Sequence, residues 1–303
     1  MSELDRRKCC LVRFMVFSDL HYDEMADGDK RLNELINVIK IEQLDFCVSL
    51  GDFCEPHKSR NEIYQKIKSA GVQVHYVIGN HEVENYQLDE VLRFLAMERD
   101  FYTFECEDCK FVILNSCYFR KKGRDYPYCG KNYKKDGTRY PFISQEQVDW
   151  LQSELEDNKR HIIFSHHSLI NEFKDRGINN REVVRKLFNN KNVILCMNGH
   201  DHGDKFSMLN GVLYHTINSA SYMWAGGYIA ESKELMERYG YLHGIIPYKQ
   251  ALYALVEIDK SEIKVNGIVG NYEAITPDDL GISNRCWNGV STEPNVSSYR
   301  FHL

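Results

Sequence analysis

The chain has 303 residues, 43% hydrophobic and 27% charged, with 38 Lys and Arg against 44 Asp and Glu for a formal charge of −6. That length suits one large α/β domain with extensions and a sizeable core. The charge balance lacks the basic excess of a nucleic-acid binder, so a polymeric nucleic-acid substrate is not expected, and no stretch approaches the ~18 apolar residues of a membrane span.

Arg6, Arg7 and Lys8 precede the first apolar run in the manner of a signal peptide. That run carries Arg13, however, and leads straight into a cluster of polar residues, so its removal would delete a strand. Leu11 to Phe17 is rich in β-branched and aromatic residues, as a buried strand is, and ends at Ser18-Asp19-Leu20-His21. If the chain stays extended there, Asp19 and His21 project to one side and could share a metal ion.

Leu32, Leu35, Ile36 and Ile39 predict a helix over 28–42, and the strand-like run 44–50 then leads into Gly51-Asp52. A second helix over 56–70 is marked by Ile63 and Ile67 and stops at Gly71. Residues 72–78 form the next apolar run, which leads into Gly79-Asn80-His81-Glu82. Strand, helix, strand, helix, strand predicts parallel pairing.

Runs 101–105 and 110–114 flank Cys106-Glu107-Asp108-Cys109. A Cys-x-x-Cys can bind zinc or do redox work, but with no second pair nearby a hairpin turn is the expectation. Several of the ten cysteines lie inside apolar runs, which fits reduced thiols in the cytoplasm better than a disulfide framework.

Residues 120–141 change character. They carry eight basic residues against two acidic ones, a formal +6 that leaves −12 for the rest of the chain, with Tyr126, Tyr128, Tyr133 and Tyr140 interleaved. A loop of this length is either a solvated insertion or a lid that draws an anionic substrate, and Arg120, Tyr126 and Tyr128 are its candidate contacts.

Ser144 with Gln147 makes a capping box, opening a helix over 144–158 with Val148, Leu151 and Leu155 on one face. Two more runs end in histidines: 162–165 leads into His166-His167, and 193–197 into Asn198-Gly199-His200-Asp201-His202. Strand-like runs recur at 212–217, 251–258 and 263–269, whereas 222–247 and the tail fit no core pattern. The expected organisation is one domain over 1–271, with an insertion at 120–141 and an excursion at 222–247, and a C-terminal extension over 272–303.

The set Asp19-x-His21, Gly51-Asp52, Gly79-Asn80-His81-Glu82, His166 and Gly199-His200-x-His202 resembles the calcineurin-like metallophosphoesterases, in the branch that acts on small molecules. The motifs follow the family's order and span residues 11 to about 220. The resemblance implies an α/β fold (α+β by some schemes): a four-layer αββα sandwich of two mixed sheets flanked by helices, with the site at the strand C-terminal ends.

It also implies two divalent transition-metal ions. Asp19, His21 and His202 would hold one, Asn80, His166 and His200 the other, and Asp52 would bridge them, since a carboxylate can serve two cations whereas imidazole and amide serve one each. Nitrogen and oxygen donors without thiolate suit Mn, Fe, Zn, Ni or Co. A metal-bound hydroxide would attack phosphorus. His81 would stabilise the transition state or protonate the leaving oxygen, with Glu82 supporting it or a metal ligand from behind, and His167 near the substrate or behind the ligands.

Two departures narrow the branch. Glu55 stands where purple acid phosphatases carry an iron-binding Tyr, and Gly51-Asp52-Phe53-Cys54-Glu55-Pro56 lacks the Gly-Asp-x-x-Asp-Arg run of Ser/Thr protein phosphatases. The expected substrate is a small anionic phosphate ester, whether phosphodiester, nucleotide or phosphomonoester. The competing reading is a non-catalytic scaffold that keeps the fold; its mark would be loss of a ligand or of His81, and neither is lost. A nuclease is less favoured.

Overall fold

A computed structural model describes residues 11–57, 61–131, 139–171, 176–225, 233–240, 244–287 and 289–303. Its elements begin with β1 (Val12–Phe17), α1 (Gly28–Ile41), β2 (Phe46–Ser49), α2 (Asn61–Lys68), β3 (Gln73–Tyr76), α3 (Asn80–Val83) and α4 (Leu88–Leu95). There follow β4 (Tyr102–Cys106), β5 (Cys109–Ile113), β6 (Tyr118–Lys121), β7 (Arg124–Pro127), α5 (Gln145–Glu154), β8 (Arg160–Ser165), α6 (Arg181–Lys186) and β9 (Val193–Asn198). Next come β10 (Lys205–Leu209), β11 (Val212–Thr216), β12 (Tyr222–Trp224), α7 (Lys233–Tyr239) and β13 (Ile245–Pro247). The last are β14 (Ala254–Ile258), β15 (Glu262–Gly267), β16 (Cys286–Trp287), β17 (Val290–Ser291) and β18 (Tyr299–His302).

Two six-stranded sheets run β18-β15-β14-β1-β2-β3 and β10-β11-β9-β8-β5-β4. β1, β2 and β3 are parallel, as the strand-helix alternation requires, and so are β5, β8, β9 and β11. Antiparallel strands complete both sheets.

The period of the strands sets the layers. Phe14 and Val16 of β1 pack with Phe46, Val48, Phe111, Ile113, Ile162 and Phe164 between the two sheets. Met15 and Phe17, on the opposite face, meet Leu32, Leu35, Ile36 and Ile39 of α1. Val112 and Ile163 likewise turn outward to Val148, Leu151 and Val184 of α5 and α6. Three apolar interfaces separate four layers, which is the αββα sandwich. Each fully buried Leu, Ile or Phe contributes about 1.5–3 kcal/mol. Phe14 stacks on Phe46 at 4.9 Å and meets Phe111 edge-on at 5.7 Å, fixing how the sheets face each other.

Some local expectations change. The Cys-x-x-Cys is a hairpin turn as expected, with Cys106 paired to Cys109 and both thiols free. Ser144 caps α5 by accepting the Gln147 N–H at 3.3 Å, but the Gln147 side chain does not complete the capping box. It is fully buried and instead binds both the N–H and the C=O of Asn115, at 2.9 Å each, because that peptide lies beyond the end of β5 without a strand partner. The start of the basic segment is a hairpin, β6–β7, not an open loop; residues 132–138 lie outside the described residues.

The excursion begins and ends in a small antiparallel sheet, β12–β13, and the tail returns β18 to the edge of the first sheet. Arg31, fully buried in α1, holds the excursion's base: its guanidinium donates to Asp27 Oδ1 at 2.8 Å, to the Ala220 carbonyl at 3.2 Å and to the Tyr248 carbonyl. Among the described residues no helix is long and apolar enough to cross a membrane.

Candidate metal centre

The five motif clusters meet where β1, β2, β3, β8 and β9 end, although their residues do not stay extended. Asp19, His21, Asp52, His200 and His202 all have φ between +46° and +70°, the left-handed region that non-glycine residues rarely enter. Asp19 and His21 therefore converge through a tight turn, which replaces the expected strand alternation. Such backbone costs of order 1–3 kcal/mol per residue and persists only where the surroundings over-determine it.

Those surroundings are distant in sequence. Ala220 N–H donates to the Ser18 carbonyl at 2.8 Å. The Ser219 hydroxyl donates to the Asp19 carbonyl at 2.9 Å, and the Ser221 hydroxyl to the Leu20 carbonyl at 2.5 Å. The loop 51–54 is gripped by Glu82, whose buried carboxylate accepts four backbone N–H groups: Gly79 at 2.8 Å, Asp52 at 3.0 Å, Phe53 at 2.6 Å and Cys54 at 3.3 Å. Gly79 lies so close to this loop that a Cβ would fall 2.2 Å from Asp52 Oδ1.

The two carboxylates share one design. Asp19 Oδ2 accepts the Ser18 hydroxyl at 2.5 Å and the His200 N–H at 2.9 Å, leaving Oδ1 facing His202 Nε2 at 3.4 Å. Asp52 Oδ1 accepts the His81 N–H at 2.8 Å. Its Oδ2 lies 3.2 Å from His166 Nε2 and 3.9 Å from His21 Nε2, between the two expected ligand sets.

The imidazoles are oriented from behind. His166 Nδ1 donates to the Leu50 carbonyl at 2.8 Å and His202 Nδ1 to the Tyr222 carbonyl at 2.9 Å, so both present Nε2 to the cluster. His200 presents Nδ1, 3.2 Å from His166 Nε2. Burial, with the Arg176 charge, pushes the His200 pKa well below its usual value; burial also lowers that of His202. Both are thus neutral, the form that ligates a cation. Burial opposes a proton on His166, but the Asp52 and Asp19 carboxylates outweigh it and raise its pKa to about 9. Burial likewise disfavours charge on Asp52, yet the surrounding imidazoles hold its carboxyl well below the usual range.

These residues fit a metal pair. Asp19 Oδ1 and Asn80 Oδ1 are buried with no hydrogen-bond partner, and an orphaned buried polar atom costs about 1–3 kcal/mol unless something binds it. Asp19, His21 and His202 bring ligand atoms together, as do Asp19, Asp52 and His166, and also His166, His167 and His200. Carboxylate, amide and imidazole donors suit divalent transition ions.

The remaining candidates fall as follows: His167 takes the second of its two expected places, and Arg120, Tyr126 and Tyr128 have partners of their own. His167 is fully buried behind His200, ring centroids 4.1 Å apart, with Nδ1 2.8 Å from the Ser116 hydroxyl. Arg120 pairs with Asp125 of its own hairpin at 2.6 and 2.8 Å and lies over the Phe142 ring. Tyr126 stacks on Phe119. Tyr128 is buried, and burial together with the Glu84 and Asp52 charges raises its pKa.

Three neighbours were not singled out from the sequence. Arg176 donates to the His200 carbonyl at 2.6 Å and pairs with Asp201 at 3.2 Å. Tyr222 packs on His202, centroids 4.5 Å apart. Glu24 lies against both His21 and His81, and its available signal was an acidic residue three positions after a ligand histidine.

The sequence profile described as calcineurin-like phosphoesterase matches residues 12–204. A zebrafish (Danio rerio) protein named manganese-dependent ADP-ribose/CDP-alcohol diphosphatase is 21% identical over 305 residues, covering 75% of this chain and 95% of the relative. The crystal structure of a dimetal phosphatase from Danio rerio superposes with a TM-score of 0.62 at 16% identity, covering 86% of this chain and 96% of that one. Plasmodium GAP50, described as the anchor in the inner membrane complex, superposes with a TM-score of 0.56 at 16% identity, covering 86% and 84%. The chain belongs to the calcineurin-like phosphoesterase family and is a hydrolase of phosphate-ester bonds.

Proposed function

We propose that the chain is a binuclear-metal phosphohydrolase of small phosphate esters, with nucleotide diesters and pyrophosphate-linked nucleotides the first candidates, working in the reducing cytoplasm. The single observation that carries the reading is the pair of half-tied carboxylates: Asp19 and Asp52 each spend one oxygen on a backbone N–H and turn the other toward imidazoles. Asp19, His21 and His202 would hold one ion and Asn80, His166 and His200 the other, with Asp52 serving both. Bound there, two divalent ions would supply Lewis acidity and a nucleophile at neutral pH.

The chain's own residues do the rest. Two dications exceed the charge of two carboxylates, so the loaded site attracts a phosphate anion. His81, like Asn80 and His200, is only partly buried, its side chain 27% exposed and Nε2 3.9 Å from Asp52 Oδ2. In the metal-free chain burial opposes its charge, but Asp52 and Glu24 outweigh that and raise its pKa to about 10; in the loaded site its role as proton donor to a leaving oxygen rests on its position and exposure. The nucleotide preference draws on the zebrafish relative's name, manganese on the same source, and the compartment on the free cysteines.

The test is turnover of p-nitrophenyl phosphate, its bis ester and a panel of mono-, di- and pyrophosphate nucleotides by protein reloaded with Mn or Zn, beside Asp52→Ala and His81→Ala. Equal turnover by all three proteins would end the catalytic reading.

A further inference from the structure

We propose that Glu24 is a positioning residue that aligns His21 and His81 together, one carboxylate serving both a metal ligand and the imidazole that protonates the leaving oxygen. The inference rests on the phosphohydrolase reading above. Glu24 Oε2 lies 3.2 Å from His21 Nδ1, and Glu24 Oε1 lies 3.4 Å from His81 Nδ1. Each oxygen accepts one Nδ1–H, and each ring then presents Nε2 to the same atom, Asp52 Oδ2, at 3.9 Å. The rings meet edge to face with centroids 4.5 Å apart.

The turn after β1 builds this arrangement. Glu24 and Met25 N–H both donate to the His21 carbonyl, at 2.9 and 3.0 Å, folding the Glu24 side chain back over the His21 ring. Glu84, a second carboxylate near His81 Nδ1, lies farther off at 3.9 Å. Exposure divides the labour: the His21 side chain is 1% exposed, enclosed as a ligand is, whereas that of His81 is 27% exposed and meets an arriving ester.

In the reaction a water oxygen bonds to phosphorus and gives up a proton to solvent. The ester P–O bond breaks with its electron pair on the leaving oxygen, which takes the His81 Nε2 proton. Solvent then reprotonates Nε2, while Nδ1–H stays on Glu24 throughout. A glutamine at position 24 has one acceptor oxygen and an NH2 donor, so it can satisfy at most one of the two rings.

The experiment compares manganese-loaded wild type, Glu24→Gln, Glu24→Asp, His81→Ala and the double variant Glu24→Gln/His81→Ala on two esters. p-Nitrophenyl phosphate has a leaving group that needs little protonation; phenyl phosphate has one that needs more. Glu24→Gln is expected to lower kcat on phenyl phosphate about 100-fold and on p-nitrophenyl phosphate about threefold or less, with KM nearly unchanged. Glu24→Asp, which keeps both acceptor oxygens, recovers part of the loss, and Glu24→Gln adds no further discrimination once His81 is gone. An equal fall on both esters, or the same discrimination without His81, overturns the assignment.

A second readout needs neither metal nor turnover. In nitrogen-15 NMR of the metal-free chain, His21 and His81 are expected to show hydrogen-bonded Nδ1–H signals, of which at most one survives in Glu24→Gln. Persistence of both overturns the alignment whatever the kinetics show. Wild-type protein that cleaves no ester would instead remove the phosphohydrolase reading while leaving this alignment measurable.

Discussion

The carboxylate of Asp19 accepts the backbone N–H of His200 at 2.9 Å across 181 positions of sequence, tying the first ligand turn to the last. Gly199 makes this approach possible: a Cβ there would fall 1.7 Å from Ser18 Oγ and 2.5 Å from Asp19 Oδ2. Gly199→Ala therefore forces the two loops apart.

For Gly199→Ala, overpacking costs about 1–3 kcal/mol of stability, and a ligand displaced by about 1 Å lowers kcat/KM about 100-fold. Bound manganese, measured by elemental analysis, should fall in parallel. Gly211→Ala is the control for metal content: its φ of +79° makes any side chain cost stability there, but its added Cβ meets nothing within 4 Å, so metal content should stay unchanged. Full metal content in Gly199→Ala would contradict the close-approach argument.

Glu82→Gln tests the staple beneath Asp52. The amide keeps one acceptor oxygen for the four N–H groups that the carboxylate now serves. Leaving even one or two buried donors unsatisfied costs about 3 kcal/mol. Urea unfolding should shift to a lower midpoint at unchanged slope, with weaker metal retention; an unmoved midpoint would show that the loop holds itself.

Protons and metal should compete for the cluster. His166 and His81, raised to about 9 and about 10, stabilise the metal-free fold fully below their ordinary pKa of about 6.5 and cease to do so as pH rises through those raised values. Metal binding has the opposite sign, since the His166 proton must leave, so affinity should climb until about pH 9. Thermal unfolding of chelator-treated protein should decline from neutral to alkaline pH, and calorimetry of manganese binding should show proton release that varies with buffer. An affinity flat over that range would refute the competition.

The basic segment is open to dissection. Arg120 is already paired with Asp125, so Arg120→Ala should leave KM within about twofold and cost at most about 1 kcal/mol of stability. Lys131 instead lies 3.5 Å from Glu84, which is 3.9 Å from His81. Deleting 131–138 should raise KM for phosphate esters more than it lowers metal content. An unchanged KM would make the segment an insertion with no part in substrate capture.

Read alone, the sequence determined the strands and the roster of clusters, and through the family resemblance the four layers. Both strands and clusters are local signals: a run of β-branched and aromatic residues marks β1, and a polar pair after an apolar run marks a strand end, whereas the placing of Phe14 and Met15 at opposite interfaces came with the structure. The resemblance drew on the same local motifs. Misreadings arose where a local rule met a distant partner, as when Gln147, read as half a capping box, turned to the Asn115 peptide 32 positions away.

Only the tertiary structure decided how the cluster is assembled. The left-handed turns at Asp19, His21, Asp52, His200 and His202 are not favoured by their own residues; they are held by Ser219, Ser221, Glu82 and each other across up to 201 positions. The shared grip of Glu24 on His21 and His81 likewise exists only once the turn after β1 faces the start of α3. Propensity and spacing describe a residue's preference in isolation, whereas a strained backbone and an oriented imidazole are set by partners that folding alone brings within reach.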